Sequence, residues 1–140
     1  MVKWNAWHPF HRDIILGLEN KLHHRAGVYS LRLMKNGIPK CIDRVNGKDK
    51  NGILYYGKSR DLFIRLSDCE GKFRGFRGYE HSGAATYRRY FSKTRWFEHG
   101  LIQFRWKFCE NDKKAKRLET ELIRGYRKRY MDSPPLNSIG

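Results

Sequence analysis

The chain has 140 residues, 30 Lys+Arg against 14 Asp+Glu, and a formal net charge of +16. Apolar residues make up 39 %, enough for a core, which excludes wholesale disorder and suits one compact domain. No apolar run reaches the roughly 18 residues of a membrane helix, and Met1 to Asn5 lack the apolar stretch of a secretory signal. The surplus charge therefore points to a polyanion, nucleic acid ahead of an anionic membrane surface. Cys41, Cys69 and Cys109 are odd in number and widely spaced, which suits free thiols in a metal-free fold in a reducing, intracellular compartment.

In chain order, Phe10, Ile14, Leu18 and Leu22 recur every four residues, which predicts an N-terminal helix with Pro9 near its start. Residues 27–33 then switch to period two, with Tyr29, Leu31 and Leu33 on one face and Ser30 and Arg32 on the other. Asn36-Gly37, Asn46-Gly47 and Asn51-Gly52 are turn signals. The region from there to a second short strand, Ile53 to Tyr56, reads as a long polar hairpin excursion. Ser59 is the expected cap of a helix carrying Leu62, Phe63, Arg65 and Leu66. Residues 71–79, with three glycines, read as a loop, and 84–97 as a further helix. Ile102 to Phe108 alternates without a break and predicts a strand. Asn111-Asp112 caps a last helix with an Ala115, Leu118, Leu122 and Tyr126 stripe, ended by Pro134-Pro135.

Four pieces stand in a telling order: Gly27-Val28-Tyr29, Tyr55-Tyr56-Gly57-Lys58-Ser59 with Arg65 on the next helix, Glu119 before Leu122-Ile123, and Pro135-Leu136-Asn137. This order, spanning about residues 27–137, resembles the GIY-YIG nuclease superfamily. The resemblance implies an α/β (α+β) domain with a three-stranded antiparallel sheet flanked by helices. Residues 27–140 would form it, with 1–26 as an N-terminal helical extension and the hairpin as an insertion.

The resemblance also implies phosphodiester hydrolysis with one divalent ion, Mg²⁺ or Mn²⁺, per active site. Glu119 would hold the metal, and Arg65 would contact the scissile phosphate, a role its planar fork suits. Tyr29 and Tyr55 would position the phosphate, one of them helping to activate the attacking water. Gly57 and Lys58 close the second motif, with Lys58 near the phosphate, and Asn137 would brace the site. Residue pattern alone also admits plainer roles: a surface helix Glu beside a basic neighbour, a solvated Arg, and half-buried strand tyrosines.

The chain departs from the family pattern twice. Residues 30–54 separate motifs that are usually close, and Cys69 stands where some members carry a His. His81 is a substitute base or an exposed loop residue.

For substrate contact, Lys72, Arg74, Arg77, Arg88, Arg89, Lys93 and Arg95 lie among aromatics and glycines, and Lys48 and Lys50 lie in the insertion. Basic groups reach phosphates and aromatics stack on bases. The last helix adds further Lys and Arg on its outer faces. The expected protein is a metal-dependent DNA endonuclease of phage, restriction or repair type, acting on double-stranded or branched DNA without a small-molecule cofactor. Residues 1–26 leave no room for an appended targeting domain, and double-strand cleavage calls for a homodimer or two visits. The rival expectations are a non-catalytic nucleic-acid-binding module on the same fold and an RNA-directed nuclease.

Overall fold

The computed structural model describes residues 3–73 and 101–137. The expected helix over 84–97 and most of the glycine-rich stretch lie outside these residues. The described elements are β1 (His8–Pro9), α1 (Arg12–Gly17), α2 (Glu19–Leu22), β2 (Gly27–Lys35), β3 (Ile38–Pro39), β4 (Ile42–Asp43), β5 (Lys48–Asp49), β6 (Ile53–Ser59), α3 (Leu62–Phe73), β7 (Ile102–Phe108) and α4 (Asp112–Tyr130). The result is a mixed α/β architecture with antiparallel sheets and flanking helices. Among the described residues no helix is long and apolar enough to cross a membrane.

β2 is the central strand, antiparallel to β6 on one side and β7 on the other. Gly27 opens it because nothing larger fits: a Cβ there would lie 2.2 Å from the Lys107 carbonyl oxygen and 2.9 Å from Leu62 Cδ1. Tyr29, Leu31 and Leu33 pack with Tyr55, Phe104 and Trp106 against Leu62, Leu66, Cys69 and Phe73 of α3 and against Ile15 and Leu22. The other face carries a smaller cluster of Ile53, Tyr126 and Tyr130, with Trp7 and Tyr56 beside it. Ser30 is also fully buried, so β2 is covered on both faces and not wetted on one as its alternation suggests. A helix on each side of a sheet has that effect.

Register shifts between Leu31 and Arg32, which oppose Tyr55 and Ile53. The extra residue, Leu54, joins Tyr55 in the first cluster while Ile53 turns to the second. A bulge re-aims side chains in this way, which period-two reading of 53–56 does not register.

The N-terminal segment departs most from its expected single helix. Pro9 lies in β1, paired with β7 through His8–Phe104 and Pro9–Gln103. His11 caps α1 by accepting from the Asp13 N–H, and Leu18 (φ −101°, ψ 7°) separates α1 from α2. Trp4 and Trp7 explain the extended course. Arg105 stacks on both rings at 4.4 and 4.3 Å, and Arg32 lies over Trp7 at 4.3 Å. Such cation–π contacts and the strand pairing hold the residues before Phe10 extended, while the helical periodicity that follows is realised in two pieces, α1 and α2.

Two further expectations change. Asp61, not Ser59, caps α3, its Oδ1 accepting from the Ile64 N–H at 3.2 Å, while Ser59 Oγ accepts from the Asp61 N–H. Gly71, Lys72 and Phe73 belong to the last turn of α3, because Phe73 buries itself against Phe10. The insertion folds back on the domain: buried Asp49 accepts from Tyr126 Oη at 2.8 Å and from the Asn51 and Ile53 N–H groups.

Candidate active site

Tyr29 and Gly57 face each other in the β2–β6 ladder. A Cβ on Gly57 would come within 2.5 Å of Tyr29 Cζ and 2.6 Å of its hydroxyl, so glycine leaves the space the ring occupies. Tyr55 packs beside it, ring centroids 6.0 Å apart. Arg65 reaches in from α3 and hydrogen-bonds the Tyr29 side chain. Alternation places Tyr56 on the opposite face, stacked on Trp4.

Electrostatics separates the roles open to these groups. Burial, with Tyr55 and Cys69 nearby, holds the Tyr29 phenol well above its ordinary pKa, although Arg65 opposes the shift. Burial would lower the half-buried Arg65, but Tyr29 and then Tyr55 outweigh it, and the guanidinium stays charged. Cys69 is buried, and burial pushes its thiol up, so it stays protonated at neutral pH. A phenol that keeps its proton in a sealed site is a poor base. Tyr29 is suited to hold Arg65 in place.

Asn137 sits at the part-buried outer edge of β6. Its Oδ1 accepts from the Tyr56 N–H at 3.0 Å and its Nδ2 donates to the Tyr56 carbonyl at 2.9 Å. One side-chain amide thus occupies the backbone groups of the β6 residue between Tyr55 and Gly57. The Leu136 N–H donates to the Leu54 carbonyl at 2.9 Å, so the C-terminal segment runs along the same edge.

The other sequence-selected residues lie elsewhere. Lys58 Nζ pairs with both Asp112 carboxylate oxygens, at 3.0 and 3.1 Å, joining the end of β6 to the start of α4. Glu119 is mostly buried at 15 % side-chain exposure, and its Oε1 accepts from Lys116 Nζ at 3.1 Å on the same helix. It lines a groove of about 830 Å³ with Lys116, Arg124, Arg127 and Lys128, and is the one carboxylate among the described lining residues. Tyr126 of α4 belongs to the second core cluster and α3 to the first, so Glu119 and Arg65 stand on helices that cover opposite faces. Lys72 is buried in α3, whereas Lys48 and Lys50 are exposed. His81, Arg74, Arg77, Arg88, Arg89, Lys93 and Arg95 lie outside the described residues.

Sequence reading places Asp61 beside the second motif and Asp112 at the cap of the last helix but misses their partners, which lie 37 and 54 positions away in His24 and Lys58. The adjacent pair His23-His24 was the visible signal for the first.

No family model, no curated protein and no solved structure matches this chain.

Proposed function

We propose that this protein is a metal-dependent DNA endonuclease of the GIY-YIG type. The observation that carries the reading is the convergence of Tyr29, Tyr55, Gly57 and Arg65, separate motif positions in the sequence, on one hydrogen-bonded cluster at the β2–β6–α3 junction. Glu119, the carboxylate the motif singles out, lies with four cations among the described residues of the groove along α4, across the sheet from Arg65, so the Arg65 cluster and not Glu119 carries the reading.

In this reading Arg65 binds a non-bridging phosphate oxygen and stabilises the negative charge that grows as water attacks. Tyr29 keeps its proton and orients the guanidinium, while Asn137 fixes the backbone of β6. Glu119 suits a hard divalent ion, since Mg²⁺ keeps several waters and takes one or two carboxylates with substrate phosphates completing the shell. Such an ion, when bound, lowers the pKa of its water and offsets phosphate charge. Lys116 holds the Glu119 carboxylate until then. Cations along α4 grip the DNA backbone without reading sequence.

A second reading, a non-catalytic nucleic-acid-binding module, draws on one observation: Tyr29 and Tyr55 are 0 % and 5 % exposed, so both side chains are buried. Supercoiled plasmid with Mg²⁺ or chelator, using wild type and Glu119→Gln, decides between them. Nicking that needs Mg²⁺ and collapses in Glu119→Gln supports the nuclease. DNA binding by folded protein without nicking overturns it in favour of the binding module. Equal nicking by both proteins removes Glu119 from the metal site, and a matched RNA substrate reports any RNA-directed activity.

A further inference from the structure

A second donor cluster lies where the end of α2 meets the start of α3, one turn before Arg65. His23, His24 and Asp61 each offer a ligand atom, and these atoms all lie within 4.8 Å of one another. Asp61 Oδ2 is 3.5 Å from His23 Nε2 and 3.7 Å from His24 Nδ1. Zinc bonds nitrogen and oxygen at about 2.0–2.1 Å, which makes a tetrahedral ligand–ligand edge of about 3.3–3.4 Å. Two edges are therefore already near the required length, and the third needs a shift of the His24 ring.

The chain holds these donors in place. The His24 N–H donates to Asp61 Oδ2 at 3.0 Å and the Ile64 N–H to Oδ1 at 3.2 Å. Ser59 Oγ bonds both the N–H and the carbonyl of Asp61. Metal ligands fixed by such outer hydrogen bonds bind more tightly. His24 takes φ 63°, which folds its ring back onto His23, with centroids 3.8 Å apart and planes 21° from parallel. That is a left-handed conformation, uncommon for a residue with a side chain. His24 is 82 % exposed, so the side facing solvent is open to a water or a fourth ligand.

We propose that His23, His24 and Asp61 form a site for a borderline-soft divalent transition metal, with Zn²⁺ as the fitting ion. Two imidazoles and one carboxylate favour Zn²⁺, Cu²⁺ or Ni²⁺ over Mg²⁺, which prefers an all-oxygen shell. The ion ties the end of α2 to the N-terminus of α3. Arg65 follows one turn later, its N–H donating to the Asp61 carbonyl at 3.1 Å. The site is separate from Glu119 and stands whether or not the protein cuts DNA.

The full-length chain is titrated with Zn²⁺ by calorimetry and with Co²⁺ by visible absorption, beside His23→Gln and His24→Asn. Asn tolerates the left-handed backbone and replaces an exposed ring, so His24→Asn keeps its fold, checked by circular dichroism. Stoichiometric Zn²⁺ binding, strong tetrahedral Co²⁺ bands and affinity falling roughly tenfold or more in each variant support the site. Excess Mg²⁺ does not displace the ion. No stoichiometric binding by wild type overturns the proposal. So does Zn²⁺ affinity unchanged in both variants, since the cysteines or other histidines then hold the ion.

Discussion

The Tyr29 ring lies across Gly57, its partner in the β2–β6 ladder, in the space a Cβ would fill. Tyr29 is fully buried and cannot swing into solvent to make room. Gly57→Ala should therefore destabilise the fold by about 1–3 kcal/mol, the usual cost of overpacking. Urea unfolding measures this. A stability within error of wild type would mean the ring can move, and with it the Arg65 anchor.

Tyr29→Phe keeps the ring and removes the hydroxyl that bonds Arg65. The expected loss of stability is about 1 kcal/mol, with a clear fall in plasmid nicking because the guanidinium loses its orientation. Arg65→Lys should lower nicking about 100-fold or more, since an ammonium lacks the planar fork. Full nicking activity in Tyr29→Phe would end the positioning role.

Asp49 is buried and accepts from Tyr126 Oη, so the insertion and α4 share one polar joint. Asp49→Asn turns donors toward donors, at a cost of about 1–3 kcal/mol, and Tyr126→Phe costs about 1 kcal/mol. The double variant should cost less than the sum, because the two residues touch. Additive losses in denaturant unfolding would show that they act separately.

Alkaline pH offers a further check. Burial, in the first place, pushes the Tyr56 phenol from 10.0 up to about 12. Between those values the unfolded chain loses a proton that the folded chain keeps, so stability falls as pH rises. Below pH 10 this contribution is complete. Tyr56→Phe should shallow the decline measured by urea midpoints between pH 10 and 12. Burial raises Tyr29 and Tyr126 as well, so part of the decline remains. An identical slope in the variant would refute the assignment to Tyr56.

Arg124 and Lys58 separate charge that the proposed function assigns to DNA from charge already paired within the protein. Arg124 lines the basic groove, while Lys58 Nζ is held by Asp112. In a series of DNA affinities against salt, Arg124→Ala should reduce the log–log slope by about 0.9 for one lost phosphate contact. Lys58→Ala should leave the slope unchanged and cost at most about 1 kcal/mol of stability. The reverse pattern would move the binding surface from α4 to the end of β6.

Much of the frame was legible because side-chain period sets it locally. The alternation of 27–33 and 102–108 gives β2 and β7, and the Ala115, Leu118, Leu122 and Tyr126 spacing gives α4. Local signals failed where distant partners outweighed them. The Phe10, Ile14, Leu18 and Leu22 stripe does form helix, but broken at Leu18 into α1 and α2, and Pro9 does not start it because β7 recruits His8 and Pro9 as a strand. Ser59 and Asp61 are both good caps on paper. Only the course of the chain into α3 decides that Asp61 meets the free N–H of Ile64.

The charge, the strand and helix periods, and the positions of Tyr29, Tyr55, Gly57, Arg65 and Glu119 are written in the order of residues, since each depends on near neighbours or on a spaced motif. Tertiary structure decided what those residues touch. It buried Tyr29 under Gly57 and gave it to Arg65, put Glu119 with Lys116 on the helix across the sheet, and drew His23 and His24 onto Asp61. Those contacts depend on strand register and on which face a helix covers, and neither is written within a few residues of the groups that meet.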